Sequence, residues 1–110
     1  MSQSVKKTTI TMTRGDTLKL TVNLMDASGA PYIPQTGDTM RFACKKDYSD
    51  SEVLIEKDIP MDTMLLHLEP SDTKPLDFGD YVYDMQITFA NGDVDTFIDK
   101  AIFRLTEEVD

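Results

Sequence analysis

Alternation of apolar and polar residues is the dominant pattern in this sequence. Leu18, Leu20, Val22 and Leu24 share one phase, and polar residues occupy the positions between them. Because successive side chains of a β-strand point to opposite faces of a sheet, this pattern predicts a strand with one buried face. Similar period-two patterns predict six further strands, near residues 10–12, 40–44, 53–55, 64–68, 81–89 and 94–105.

Turn-forming residues separate these segments. Asn91-Gly92 is a strong hairpin signal between the last two predicted strands. Residues 71–76 predict one helical turn, since a Ser/Asp start can cap a helix and Pro75 prevents a long one. Asp99 falls on the inward phase of the last strand, which predicts a β-bulge near Asp99-Lys100.

The spacing of the strands predicts the fold class. Seven short strands at intervals of roughly 8–15 residues, without a long helix, are typical of an all-β, immunoglobulin-like antiparallel β-sandwich. We expect one such domain over residues 1–110, with an ordered core at about 8–105. The phases predict that Thr21, Asp84 and Gln86 face outward. They also predict burial of Leu18, Leu20, Val22, Phe42, Leu66, Tyr83, Met85, Ile87 and Phe103.

Charge and hydropathy argue against several kinds of partner. The net charge of −9 disfavours nucleic acids and anionic membranes, because both attract basic proteins. The first residues lack the apolar stretch of a signal peptide, and no run approaches 18 apolar residues. We therefore expect synthesis in the cytoplasm without a signal peptide, and no membrane insertion.

Residues suited to catalysis or metal binding are few. His67 and Cys44 are the only residues of their types, too few for a standard zinc site, and Cys44 lies on a buried phase. The spacing of Asn91, Asp93 and Asp95 matches the start of a calcium-binding loop. Such a loop also requires glycine at its sixth position and glutamate at its twelfth, and both are missing here. No phosphate-binding glycine motif is present. We expect no enzyme activity, cofactor or metal, although sequence alone does not exclude a pair of catalytic carboxylates.

Arg14-Gly15-Asp16 spells an integrin-binding tripeptide. A glycine between two predicted strands has a simpler explanation, because it supplies a turn or bulge. We therefore interpret these three residues as a structural turn.

The segment from Asp77 to Tyr83 carries a more specific pattern. It resembles the D-x-G-x-Y-x-C stretch of immunoglobulin domains, in which the tyrosine forms a corner by bonding to upstream backbone. The resemblance implies a structural tyrosine corner made by Asp77, Gly79 and Tyr81. Tyr83 stands where the second cysteine would be, and the chain has no tryptophan, so it departs from antibody domains.

Five segments follow one another along residues 8–105: an RGDT turn, the alternating strand LKLTVNLMDASGAPY, the strand GDTMRFACKK, the segment LEPSDT and the hairpin LDFGDYVYDMQITFANGDVDTF. Their order resembles the small Ig-like domains encoded in phages and prophages of Gram-positive bacteria. Some of these form the virion-attached part of baseplate or tail proteins. The resemblance implies a non-catalytic structural or assembly protein of the virion, whose partners are other protein subunits, with self-assembly among the options. The alternative is an Ig-like binding module for a bacterial surface or glycan ligand.

Three loop residues are the candidate interface. Tyr32, Ile33 and Tyr48 lie in polar loops at residues 26–38 and 47–52, outside the alternating core pattern. Exposed aromatic and apolar groups of this kind can anchor an interface. The alternative is that they cap the ends of the core. Open strand edges are a second possible contact, because a partner strand can pair with them.

Overall fold

The computed structural model describes residues 9–25 and 28–107, except the side chain of Asp99. Residue 8, where the predicted core begins, and residues 26–27 of the first loop lie outside this description. The described residues form seven strands and one helical turn: β1 Ile10–Thr13, β2 Leu18–Thr21, β3 Thr39–Lys45, β4 Ile55–Ile59, β5 Leu65–Leu68, α1 Pro70–Thr73, β6 Gly79–Thr88 and β7 Val94–Thr106. The prediction of an all-β chain is confirmed.

The strands form two sheets. One has five strands in the order β1-β7-β6-β3-β4, and the other pairs β2 with β5. All neighbouring strands are antiparallel except β1 and β7, which run parallel. The order β7-β6-β3-β4 opposite β2-β5 matches the placement of strands in immunoglobulin-like sandwiches. The structure is therefore consistent with the predicted fold.

The core lies between the two sheets. Its centre is Phe42, whose ring lies 5.3 Å from that of Tyr83 and 6.0 Å from that of Phe103. Of the nine residues predicted to be buried, seven are buried, but Leu18 and Leu20 are only half-buried. Both lie on β2, which has just one described neighbour in its sheet, so their flank is less covered.

The predicted bulge is present in β7. Tyr83 is opposite Ala101, and Met85 is opposite Ile98. Between these two pairs, β7 contains one more residue than β6. Lys100 adopts a left-handed backbone conformation here, with φ +55°. The extra residue restores the inward phase of Ala101. The side chain of Asp99, which prompted the prediction, lies outside the described part of the structure.

Several element boundaries differ from the sequence prediction. β2 ends at Thr21, although Val22 and Leu24 of the predicted strand are buried, and α1 ends at Thr73 rather than residue 76. The strand expected at residues 53–55 runs from Ile55 to Ile59, and Val53 is exposed. The helical turn begins at Pro70 instead of residue 71, because the Asp72 carboxylate accepts a hydrogen bond from the Glu69 amide at 2.7 Å. This bond fixes the first turn one residue earlier than expected.

The hydrogen bond expected of a tyrosine corner is present. The Tyr81 hydroxyl donates to the Asp77 carbonyl at 2.7 Å, and the Lys46 ammonium lies 4.6 Å from the centre of the Tyr81 ring. Gly79, which lies between Asp77 and Tyr81 in the sequence, has φ +131°, a conformation that strongly favours glycine. The corner thus fixes the entry to β6.

Replacing Tyr81 with phenylalanine should lower the free energy of unfolding by about 1–3 kcal/mol, because the Asp77 carbonyl loses its buried donor. Urea denaturation would measure this loss. Tyr48→Phe is the control, since the exposed Tyr48 side chain should contribute less than about 0.5 kcal/mol through its hydroxyl. An unchanged denaturation midpoint for Tyr81→Phe would show that the corner bond does not stabilise the fold.

Candidate interaction surface

The outer face of the five-stranded sheet, which points away from the core, is the candidate functional surface. The strand register determines which side chains lie on it. On the four strands β3, β4, β6 and β7 they are Thr39, Arg41, Ala43, Lys45, Glu56, Asp58, Asp80, Val82, Asp84, Gln86, Thr88, Val94, Thr96, Lys100, Ile102 and Arg104.

The charges of the described side chains on this outer face balance. Arg41, Lys45, Lys100 and Arg104 are matched in number by Glu56, Asp58, Asp80 and Asp84. The chain as a whole carries −9, so the acidic surplus lies elsewhere. High net charge keeps copies of a protein apart. The outer face is therefore a region where another acidic subunit can approach with little repulsion.

Two ion pairs organise part of the outer face. Arg41 lies 3.0 Å from Glu56, and Arg104 binds both carboxylate oxygens of Asp80, at 2.7 and 3.1 Å. The hydrogen bonds from Arg104 lower the pKa of Asp80. Each pair joins side chains of two neighbouring strands, β3 with β4 and β6 with β7.

Apolar groups lie among these charges. Val82 and Ile102 are direct cross-strand neighbours, and Ile102 is 37% exposed. Ala43 is half-buried nearby, while Val94 is exposed further along β7. An apolar centre with a polar surround is the usual anatomy of a protein interface.

A pocket of about 160 Å³ opens beside this apolar centre. It is lined by Ala43, Lys45, Tyr48, Val82, Tyr83, Asp84 and Lys100. The Lys100 ammonium lies 4.8 Å from the centre of the Tyr48 ring, which fits a cation–π contact. The β7 bulge places Lys100 at this rim, at a backbone cost of about 1–2 kcal/mol for a left-handed lysine. Strain of this kind is often found at binding sites.

The edge of β4 is poorly suited to pairing with another strand. Lys57 occupies an inward phase, opposite Phe42, and reaches Asp72 at 3.0 Å. Pro60, which has no amide hydrogen, follows the strand directly. Inward-pointing charges and prolines discourage edge-to-edge pairing. At β4, these features disfavour the contact through an open strand edge that the sequence left possible.

The three predicted interface residues have different environments. Tyr32 is half-buried against the core, with its ring 5.9 Å from Phe89, and its hydroxyl donates to Asp38 at 2.5 Å. These contacts favour the alternative, that Tyr32 caps one end of the core. Ile33 is 73% exposed, and Tyr48 is 58% exposed at the pocket. For these two, an interface role stays a prediction.

The tripeptide Arg14-Gly15-Asp16 forms part of a packed turn. Gly15 has φ +84°, and its amide donates to the Thr73 hydroxyl at 2.8 Å. The Arg14 guanidinium donates to the Leu76 carbonyl at 3.2 Å and lies over the Phe78 ring. These contacts support the interpretation as a structural turn.

Other chemically reactive groups lie apart from one another. His67 is exposed on β5, whereas Cys44 is buried on β3, and burial raises the pKa of its thiol to about 12. The described residues include no group of three or more His, Cys, Asp or Glu side chains placed to hold a metal ion. Neither His67 nor Cys44 lines the pocket beside Tyr48.

The balanced charge of the outer face did not emerge from sequence reasoning. The outward phase of each strand was visible, but summing charges over that face requires knowing which strands are neighbours.

No helix among the described residues has the length and apolar character needed to cross a bilayer. Neither a protein-family model nor a curated protein matches the sequence.

Proposed function

We propose that this chain is a non-catalytic structural or assembly protein of a phage or prophage particle. It associates with other protein subunits, copies of itself among them, through the outer face of its five-stranded sheet. The observation that carries the association is the neutral, partly apolar outer face of a protein with net charge −9. The resemblance of the motif order to phage Ig-like domains supports the virion setting.

The dimensions of the outer face suit a protein interface. Five strands spaced about 4.8 Å apart span about 20 Å, and the ten residues of β6 extend about 33 Å. The resulting area, roughly 600 Å², approaches the about 800 Å² that each partner buries in a standard interface. One such face can therefore supply most of a stable contact.

Val82→Glu should abolish or strongly weaken association, because it places a charge at the apolar centre of the outer face. Light scattering during size-exclusion chromatography would measure the molar mass. Thr21→Glu is the matched control, since it adds the same charge to an exposed position on the opposite sheet. Equal association of both variants would contradict a role for the outer face.

The alternative function, a binding module for a bacterial surface or glycan, has one supporting observation. Tyr48 is an exposed aromatic residue beside a pocket, and aromatic residues are common in recognition sites. Retention of monomeric protein on beads coated with cell-wall glycan would favour this alternative. Passage through the beads, together with a multimeric mass, would favour assembly.

A further inference from the structure

We infer that the pocket beside Tyr48 binds the Asp58 side chain of a second copy of this chain, in a reciprocal face-to-face dimer. This inference rests on the proposed function and names the partner and its anchor. Each copy would supply one pocket and one Asp58, so the contact occurs twice around a two-fold axis.

The size of the pocket points to a side chain as its occupant. Sites for small-molecule ligands typically enclose roughly 300–1,000 Å³. The pocket has about 160 Å³ and therefore suits one short side chain presented by a neighbouring surface.

The lining of the pocket points to an acidic occupant. Among the described lining side chains, Lys45 and Lys100 are basic and Asp84 is acidic. Lys45 has no ion pair or hydrogen bond among the described side chains, and Lys100 contacts the Tyr48 ring. Two ammonium groups therefore remain able to bind a carboxylate from outside.

Asp58 is the matching acid on the same outer face. It is exposed, on the strand at the far edge of the sheet from β7, and lies beside Arg41 in the register. Arg41 is paired with Glu56, and Asp58 makes no side-chain ion pair or hydrogen bond with any described residue. Of the described acids on this face, Glu56 and Asp80 are already paired with arginines, and Asp84 lines the pocket itself. Asp58 is the one that remains for a partner's pocket.

The positions of the pocket and Asp58 make the outer face self-complementary. The basic pocket lies toward β6 and β7, while Asp58 lies on β4. Turning a second copy over onto the first, about an axis midway between the two, puts each Asp58 against the other copy's pocket. The neutral charge balance of the face allows this approach despite the net charge of each copy.

A charge-swap experiment tests this pairing. Lys100→Asp and Asp58→Lys, each alone, should weaken self-association by about tenfold or more, because like charges then meet twice. An equimolar mixture of the two variants should restore association, since each variant then meets its opposite charge. Lys19→Asp and Asp62→Lys, exposed charge-matched controls outside the outer face, should associate like the parent. Sedimentation velocity gives the dissociation constants, and circular dichroism verifies that each variant is folded.

The outcomes separate this inference from the proposed function. If each single variant associates more weakly and the mixture recovers the association of the parent, the pairing of Lys100 with Asp58 is supported. If the single variants associate more weakly and the mixture does not recover, the pairing is overturned. If neither variant weakens association but Val82→Glu does, the pocket inference is wrong and the outer face remains the interface. A monomeric parent protein would overturn both self-association and the pairing.

Discussion

Phe42→Ala is expected to lower the free energy of unfolding by about 3–5 kcal/mol. Phe42 is fully buried on β3, and its ring packs against those of Tyr83 and Phe103. Removing the ring would leave a cavity at the centre of the sandwich, where strands on both sides hold the backbone in place. Guanidinium denaturation would measure the loss as a shift in midpoint.

Two variants make this result interpretable. Phe42→Leu keeps most of the volume and should cost less than the alanine substitution. Phe78→Ala removes the same ring from a half-exposed position and should also cost less, because that ring is partly solvated already. A loss for Phe42→Ala no larger than that for Phe78→Ala would place the centre of the core elsewhere.

Asp38→Ala is expected to lower the free energy of unfolding by about 3 kcal/mol. Asp38 is 8% exposed, and its carboxylate accepts hydrogen bonds from the Tyr32 hydroxyl and the amides of Gln35 and Ala90, at 2.5, 2.8 and 3.1 Å. It thereby joins the loop before β3 to the hairpin between β6 and β7. Removing the carboxylate leaves three donors without their acceptor. Asp50→Ala, at an exposed position, should change stability by less than about 0.5 kcal/mol.

The same carboxylate gives stability a pH dependence of known sign. Burial alone raises the pKa of Asp38, but the hydrogen bonds from Tyr32, Gln35 and Ala90 outweigh it and lower the pKa below its ordinary value. Asp38 therefore contributes stability above the unfolded pKa of about 4, and this contribution is lost as the pH falls below it. Unfolding measured at several pH values should show a smaller acid destabilisation for Asp38→Asn than for the parent. Equal acid sensitivity of the two proteins would contradict this assignment.

Much of the fold could be predicted from the sequence, because alternation depends only on local geometry. The inward phases of β3, β5, β6 and β7 followed from period two, and the misplaced phase of Asp99 located the bulge. The start of α1 was misjudged by one residue, because its cap depends on a hydrogen bond between Glu69 and Asp72. Half-burial of Leu18 and Leu20 depends on how many strands flank β2, which a strand's own pattern does not encode.

The candidate site was less predictable, because it depends on contacts between distant segments. Tyr32, Ile33 and Tyr48 looked alike as apolar loop residues. Tyr32 differs because Asp38 and Phe89 lie within reach of its hydroxyl and ring. The pocket unites β3, the following loop, β6 and the β7 bulge, so no single segment of sequence contains it.

Association of the chain is the central claim, and sedimentation equilibrium of the unmodified protein tests it most directly. The measurement should cover concentrations from about 1 μM to about 1 mM, which spans the range from moderate to weak affinity. We expect the average mass to rise with concentration above the 12.4 kDa of one chain. A mass of 12.4 kDa at every concentration would contradict self-association through the outer face.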